Sequence, residues 1–310
     1  MTNTNGLDKQ DDRWAQLDPT GEVYLDDPVA VESTIRSILN SIYGSEYHGS
    51  LLSDAIRDLV SAYRGDYPGL LSSDTLYHDL RHALEAGLTT ARLLDGHSKS
   101  LASDSPEQID GDRASLAVLL ALFHDIGLLR RESEGHLFGA ALTPVHEERG
   151  VEFMGDYLLR TKLAHLAEKS RLIMATKLIF TMPSSWSIPD KKLAGMVATA
   201  DLLSQFSDRC YLEKCRDFLF VEFSAFGLAG KTGSPYPDKE TLLAMTPGFV
   251  SKILHQRLEE EFFGEYHLLE LHTGGKNPWE EAIRRNQSFL ENILSTHDFA
   301  RLKRQPKIFN

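Results

Sequence analysis

The sequence predicts an all-α protein on three observations. Apolar residues recur at three- and four-residue spacing along most of the chain, no segment sustains a period-two alternation rich in β-branched residues, and Gly or Pro stands where periodic runs should end. Residues 1–28, rich in Asn, Asp and Thr with few apolar positions, lack a face to bury and are expected to form a flexible N-terminal tail. Val31, Ile35, Ile38, Leu39 and Ile42 define a first amphipathic helix, and Leu51, Leu52, Ala55, Ile56, Leu59 and Val60 a second. The period returns in 74–94, 113–129, 145–160, 162–182, 190–209, 211–226, 248–263 and 278–294. Gly44, Gly65, Gly96 and Pro183 are read as stops, and 96–112 and 227–238 as surface loops.

Composition narrows the function classes. The 310 residues are 42% hydrophobic and 25% charged, the balance of a globular chain. With 33 basic against 45 acidic residues the net charge is -12, which argues against a protein that binds nucleic-acid polymers by neutralising phosphates. An anionic substrate would therefore need a local positive centre. Cys210 and Cys215 fit neither a zinc pair nor a secreted disulfide framework, so a reducing cytoplasm is expected. The longest apolar run, 116–123, is far short of the roughly 20 residues that span a bilayer. Residues 1–12 are polar and acidic without a signal-peptide core. Arg301, Lys303, Arg304 and Lys307 read as a solvated basic tail.

The chemistry-bearing residues are histidines and aspartates in apolar surroundings. Within the helix expected over 74–94, His78 and His82 stand one turn apart on one face, so two imidazoles can converge on one centre. The apolar run 116–123 ends in His124-Asp125 with Gly127 just beyond, carrying a carboxylate into the interior, where an unpaired charge is expensive. A divalent cation suits neutral imidazole nitrogen and ionised carboxylate oxygen, with zinc, iron, manganese and magnesium all compatible. Asp201 is again a lone acid in an apolar helical stretch, flanked by Val197, Ala198, Ala200, Leu202 and Leu203. Exposing it would drag those neighbours into water, which favours a buried ligand over a surface acid. The aromatic set Phe218, Phe220, Phe223 and Phe226 is read as core packing.

The order His82, His124-Asp125, Asp201 resembles the HD superfamily of metal-dependent phosphohydrolases. Tyr77-His78-Asp79-Leu80-Arg81-His82-Ala83 is similar to the Tyr-His-Asn-x-x-His-Ala signature of class I cyclic-nucleotide phosphodiesterases, Ala200-Asp201-Leu202 to their Ala-Asp-Leu, and Met174-Ala175-Thr176 to their Leu-Ala-Thr-Asp. Gly248-Phe249-Val250 resembles the segment that carries their base clamp. The resemblance spans roughly 74–263 and implies an HD-domain helical bundle. It further implies that His82, His124, Asp125 and Asp201 hold a first metal, that Asp125 reaches towards a second, that His78 is the general acid, and that Phe249 stacks on a nucleotide base. A metal lowers the pKa of bound water and offsets charge on phosphoryl oxygens, supplying the positive centre that the acidic chain lacks.

The departures from that pattern are specific. Asp79 replaces the family's Asn and would raise the pKa of His78 if the two side chains met. Leu128-Leu129-Arg130 stands where a His-Pro-Gly stretch is usual, and Thr246 stands for the glutamine that grips the base. His146-Glu147-Glu148-Arg149-Gly150 resembles the His-Pro-x-x-Gly of HD-GYP phosphodiesterases, which implies His146 or Glu147 as a ligand of a second metal. A helix N-terminus with acids favoured by the dipole explains the same residues equally well.

The expected organisation is a tail at 1–28, a helical lead at 29–73, an HD catalytic domain at 74–265, and a loop with a closing helix at 266–310. The expected function is that of a cytoplasmic metal-dependent phosphohydrolase, a phosphodiesterase acting on a nucleotide or cyclic nucleotide. Its partner is a small phosphoester, without a nucleic-acid polymer or a membrane, and a homodimer is left open. A di-iron oxygenase of HD type and a non-catalytic nucleotide-sensing module are the alternatives.

Overall fold

The structure, a computed structural model, describes residues 12–102 and 105–310, which are helical with no strand among them. The eleven α-helices are α1 (Pro28–Tyr43), α2 (Gly49–Arg64), α3 (Leu80–Ser100), α4 (Gly111–Leu122), α5 (His146–Leu159), α6 (Ile188–Phe206), α7 (Tyr211–Lys214), α8 (Phe220–Ala225), α9 (Lys239–Lys252), α10 (Leu268–Thr273) and α11 (Pro278–Thr296). None is long and apolar enough to cross a membrane.

At the centre lies α3, against which α1, α4, α6 and α10 pack. Every residue from Leu80 to His97 is buried, although the sequence there includes Arg81, Glu85, Arg92 and Asp95. Burial of these charges is tolerable because most find partners: Arg81 meets Asp208 at 2.9 Å and Arg92 meets Asp18 at 2.6 Å. The apolar helix α4 is buried from Ala114 to Leu122, and each buried Leu contributes about 1.5–3 kcal/mol of transfer free energy. Gly96 does not stop α3. It lies inside the helix where a side chain would meet the Leu268 carbonyl of α10, so the glycine permits close packing and the following loop begins only after Ser100.

Several expected boundaries move. The helix expected from 74 begins at Leu80, because Asp79 is the N-cap and accepts the His82 amide at 3.0 Å. His78 therefore lies in the preceding loop, not one helical turn from His82. The stretch 162–182 is a 3-10 helix over Ala164–Thr176. The 211–226 helix contains a π segment, Cys215–Leu219, between α7 and α8, and α9 begins at Lys239 and runs into a second π segment at Ile253–Glu261.

The flexible tail expected at 1–28 is corrected for its described part; residues 1–11 lie outside the described residues. Leu17 and Tyr24 form a β-bridge, Val23 and Leu25 are buried, and the fully buried Asp18 carboxylate ties the segment to α3 through Arg92. Two of its few apolar residues, Val23 and Leu25, are thus buried, which composition alone does not reveal. The basic C-terminal tail is also anchored: Arg304 stacks 5.2 Å from the Trp14 ring centre, and Phe309 packs against the core.

Candidate metal centre

Two helices and one turn deliver the site. α3 brings His82 from its first turn, the turn that follows α4 brings His124 and Asp125, and α6 brings Asp201 from mid-helix. All four are buried. The ligating atoms of His82, His124 and Asp201 lie within 4.8 Å of one another, a group that could hold a metal ion. The Nε2 atoms of His82 and His124 are 3.1 Å apart, and Asp201 Oδ1 lies 3.2 Å from the first and 3.4 Å from the second. Asp125 Oδ2 is 3.5 Å from His82 Nε2 and 3.2 Å from His124 Nε2, yet accepts no hydrogen bond. Donors bound at about 2.0–2.2 Å around one ion stand about 2.8–3.6 Å from their neighbours in octahedral or tetrahedral arrangement. The separations here fall in that range.

Hydrogen bonds on the far edges of the rings set which nitrogen faces inward. His124 Nδ1 donates to the Ala121 carbonyl at 2.7 Å, and a carbonyl can only accept. Ser204 donates its hydroxyl proton to the Asp201 carbonyl at 2.8 Å, leaving a lone pair for His82 Nδ1 at 3.2 Å. In the neutral imidazoles both Nε2 atoms therefore turn lone pairs on the centre, as metal ligation requires. Burial works against a charged His124, but Asp125 and Asp201 outweigh it and push its pKa well above the ordinary value. Burial likewise opposes ionised Asp201, but His124 and His82 hold it below the usual carboxylate range. A divalent ion would replace the proton that these carboxylates hold on Nε2. The orphaned Asp125 oxygen, the inward lone pairs and the two carboxylates together fit such an ion.

His146 opens α5 beside this group. Its Nδ1 donates to the Thr143 carbonyl at 2.7 Å and its Nε2 faces Asp125 Oδ1 at 3.3 Å, so Asp125 lies between His146 and the first three residues. Glu147 stands at the other edge of the ring, 3.2 Å from Nδ1 and 3.7 Å from Lys177 Nζ, so it bears on His146 from behind. Lys177 is engaged by Glu148 at 2.6 Å. The junction of α4 and α5 is tight. A Cβ on Gly127 would lie 2.0 Å from the His146 carbonyl oxygen, and Arg149 binds the Gly127 and Leu129 carbonyls at 2.8 and 3.1 Å.

A family model described as Npun_R2479-like matches residues 31–277, most of the chain and every residue of the centre. The chain belongs to the Npun_R2479-like family. No curated protein and no solved structure matches it. The Npun_R2479-like region begins at Val31, within α1, takes in α2 to α10, and stops at Asn277, the N-cap of α11.

Sequence reasoning missed Glu222. This buried residue of α8 accepts the amides of Leu76, Tyr77 and His78 at 2.7, 2.6 and 3.4 Å through Oε1, and its Oε2 meets His78 Nδ1 at 2.6 Å. Burial opposes charge on His78, but Glu222, with Asp125 and Asp201, lifts it to about 9. The His78 and His82 rings are 6.1 Å apart, centre to centre. Glu222 lies among the very phenylalanines read as core packing; a lone acid in an apolar stretch, the signal that singled out Asp201, was present there too. Asp79 does not meet His78 and serves instead as the α3 cap. The Thr246 hydroxyl donates to its own helix at Leu242 O, 2.9 Å, and is buried, while Phe249 is partly exposed and packs edge-on against Phe206 at 6.1 Å.

Proposed function

We propose that the protein is an HD-type, metal-dependent phosphohydrolase, and that its substrate is a small phosphodiester of the nucleotide or cyclic-nucleotide class. The observation that carries this reading is the meeting of His82, His124, Asp125 and Asp201 in one buried group with the His78–Glu222 pair beside it. A bound divalent cation would supply a Lewis acid at which water loses a proton near neutral pH and phosphoryl charge is offset.

The chain's own residues do the rest. His82, His124 and Asp201 converge their donor atoms, and Asp125 offers one oxygen to that group and the other to His146. His78, held by Glu222 through Nδ1, keeps Nε2 free and, being charged at neutral pH, can give a proton to a departing alkoxide. The buried surroundings of the group strengthen these electrostatic contacts by excluding water. Phe249 offers an aromatic face, whereas Thr246, with its proton committed to Leu242, does not read a base edge by donation. Recognition of a nucleobase would thus rest on stacking.

Elemental analysis of the purified protein, followed by a panel of cyclic nucleotides, nucleoside monophosphates and bis-aryl phosphodiesters, tests the reading. Asp125→Ala is expected to lose both the ion and turnover. Full activity of a metal-depleted Asp125→Ala protein would overturn it.

A further inference from the structure

The loop that carries His78 is gripped from two sides. Glu222 takes the amides of Leu76, Tyr77 and His78, as described. The next groups along are taken by the far end of the chain. The Leu80 amide donates to Phe309 O at 3.0 Å and to Asn310 Oδ1 at 3.3 Å, and the Phe309 amide donates to Asp79 Oδ2 at 3.2 Å. Asp79 is wholly buried and its other oxygen caps α3 at His82, so one carboxylate joins the C-terminal segment to the turn between His78 and His82. The segment is anchored upstream as well: Arg216 donates to Leu302 O at 2.8 Å, and the Arg304 amide reaches Glu213 Oε1 at 3.3 Å. Residues 302–310 thus run from the helix pair α7–α8, which presents Glu222, to the first turn of α3, which presents His82.

From this geometry we infer that residues 302–310 form a clasp that positions His78, and that Asp79 is its receptor. The role of the clasped residue as proton donor rests on the phosphohydrolase reading; the clasp itself does not. Asp79 departs from the Asn of the resembling phosphodiesterases, and the difference has a physical use: an Asn could cap α3 through Oδ1, but its NH2 cannot accept the Phe309 amide. The carboxylate does both.

The test uses the full chain, Asp79→Asn, a protein ending at residue 305, and the two changes combined. Amide hydrogen exchange reads the clasp without reference to activity. Exchange at Leu80 is expected to quicken at least about tenfold in each variant and no further in the combination, while metal content stays that of the parent. Cyclic AMP, whose leaving group is an alkoxide, should be turned over about 10- to 100-fold more slowly, because sub-ångström misplacement of an acid is costly, while bis-p-nitrophenyl phosphate is hardly affected. Unchanged exchange at Leu80 would overturn the clasp. Loss of the ion, or equal loss on both substrates, would make the segment a general stabiliser and overturn its positioning role. A parent that hydrolyses neither substrate counts against the phosphohydrolase reading, and the exchange data then decide the clasp by themselves.

Discussion

The half-buried His78 and the buried Glu265 show opposite fates for an ionisable group. His78 has a carboxylate at 2.6 Å and keeps its charge, which suits a proton donor. His78→Ala should retain the metal yet lose turnover of alkoxide-leaving substrates about 10²- to 10⁴-fold, with aryl esters largely spared. Equal losses on both substrate types in steady-state assays would count against the acid role. Glu265 has both carboxylate oxygens buried without a hydrogen-bond partner, so burial, only weakly offset by Lys192, raises its pKa well above 4.5. The sign follows. Above pH 4.5 the unfolded chain ionises this group while the folded chain still holds its proton, so stability falls as pH rises towards the folded value. Glu265→Gln should therefore stabilise the protein by an amount that grows from pH 5 to pH 8 in thermal melts (about one to several degrees). A difference between variant and parent that stays constant with pH would contradict the assignment. Such residues also mark the limits of the sequence. Asp201 and His124-Asp125 were legible because each interrupts an apolar run and a buried charge demands a partner. Glu222 bears on His78 across 144 residues of sequence, and no local spacing encodes that contact.

At the scale of elements, periodicity located the helices but not their ends. The apolar period runs back through Tyr77 and Leu76, yet Asp79 caps the helix and the chain turns there, which puts His78 on a loop held by Glu222. Likewise a helical period does not distinguish the π segments from α-helix, and Gly96, a plausible stop by composition, is a contact point for α10. The junction of α4 and α5 is the element on which the centre depends most. Gly127→Ala would set a methyl group against the His146 carbonyl, where backbone has little room to yield. We expect a loss of about 1–3 kcal/mol in urea denaturation together with weaker metal binding, since Asp125 and His146 would be pushed apart. Parent-like stability and parent-like metal titration would show that the junction is not under this constraint.

For the whole molecule, the organisation places α3 at the hub: it carries His82, receives the N-terminal segment through Arg92–Asp18, and receives the C-terminal segment through Asp79–Phe309. The all-α class was readable from periodicity alone; the docking of both terminal segments was not, because it depends on single buried carboxylates, Asp18 and Asp79, meeting groups far along the chain. A cation that joined residues from α3, α6 and the turn after α4 would bind the folded state and stabilise it by mass action, about 2.7 kcal/mol at a free concentration of 100 Kd. Chelation should lower the midpoint of thermal unfolding and readdition restore it.

The most direct measurement is elemental analysis of the purified protein combined with X-ray absorption at the edge of the metal found. The expected result is a stoichiometric divalent ion with two imidazoles and carboxylate oxygens in its coordination, lost on Asp201→Ala. A folded protein that retains no ion after exposure to zinc, iron, manganese or magnesium, or one whose bound ion shows no imidazole, would contradict a metal centre built from His82, His124, Asp125 and Asp201.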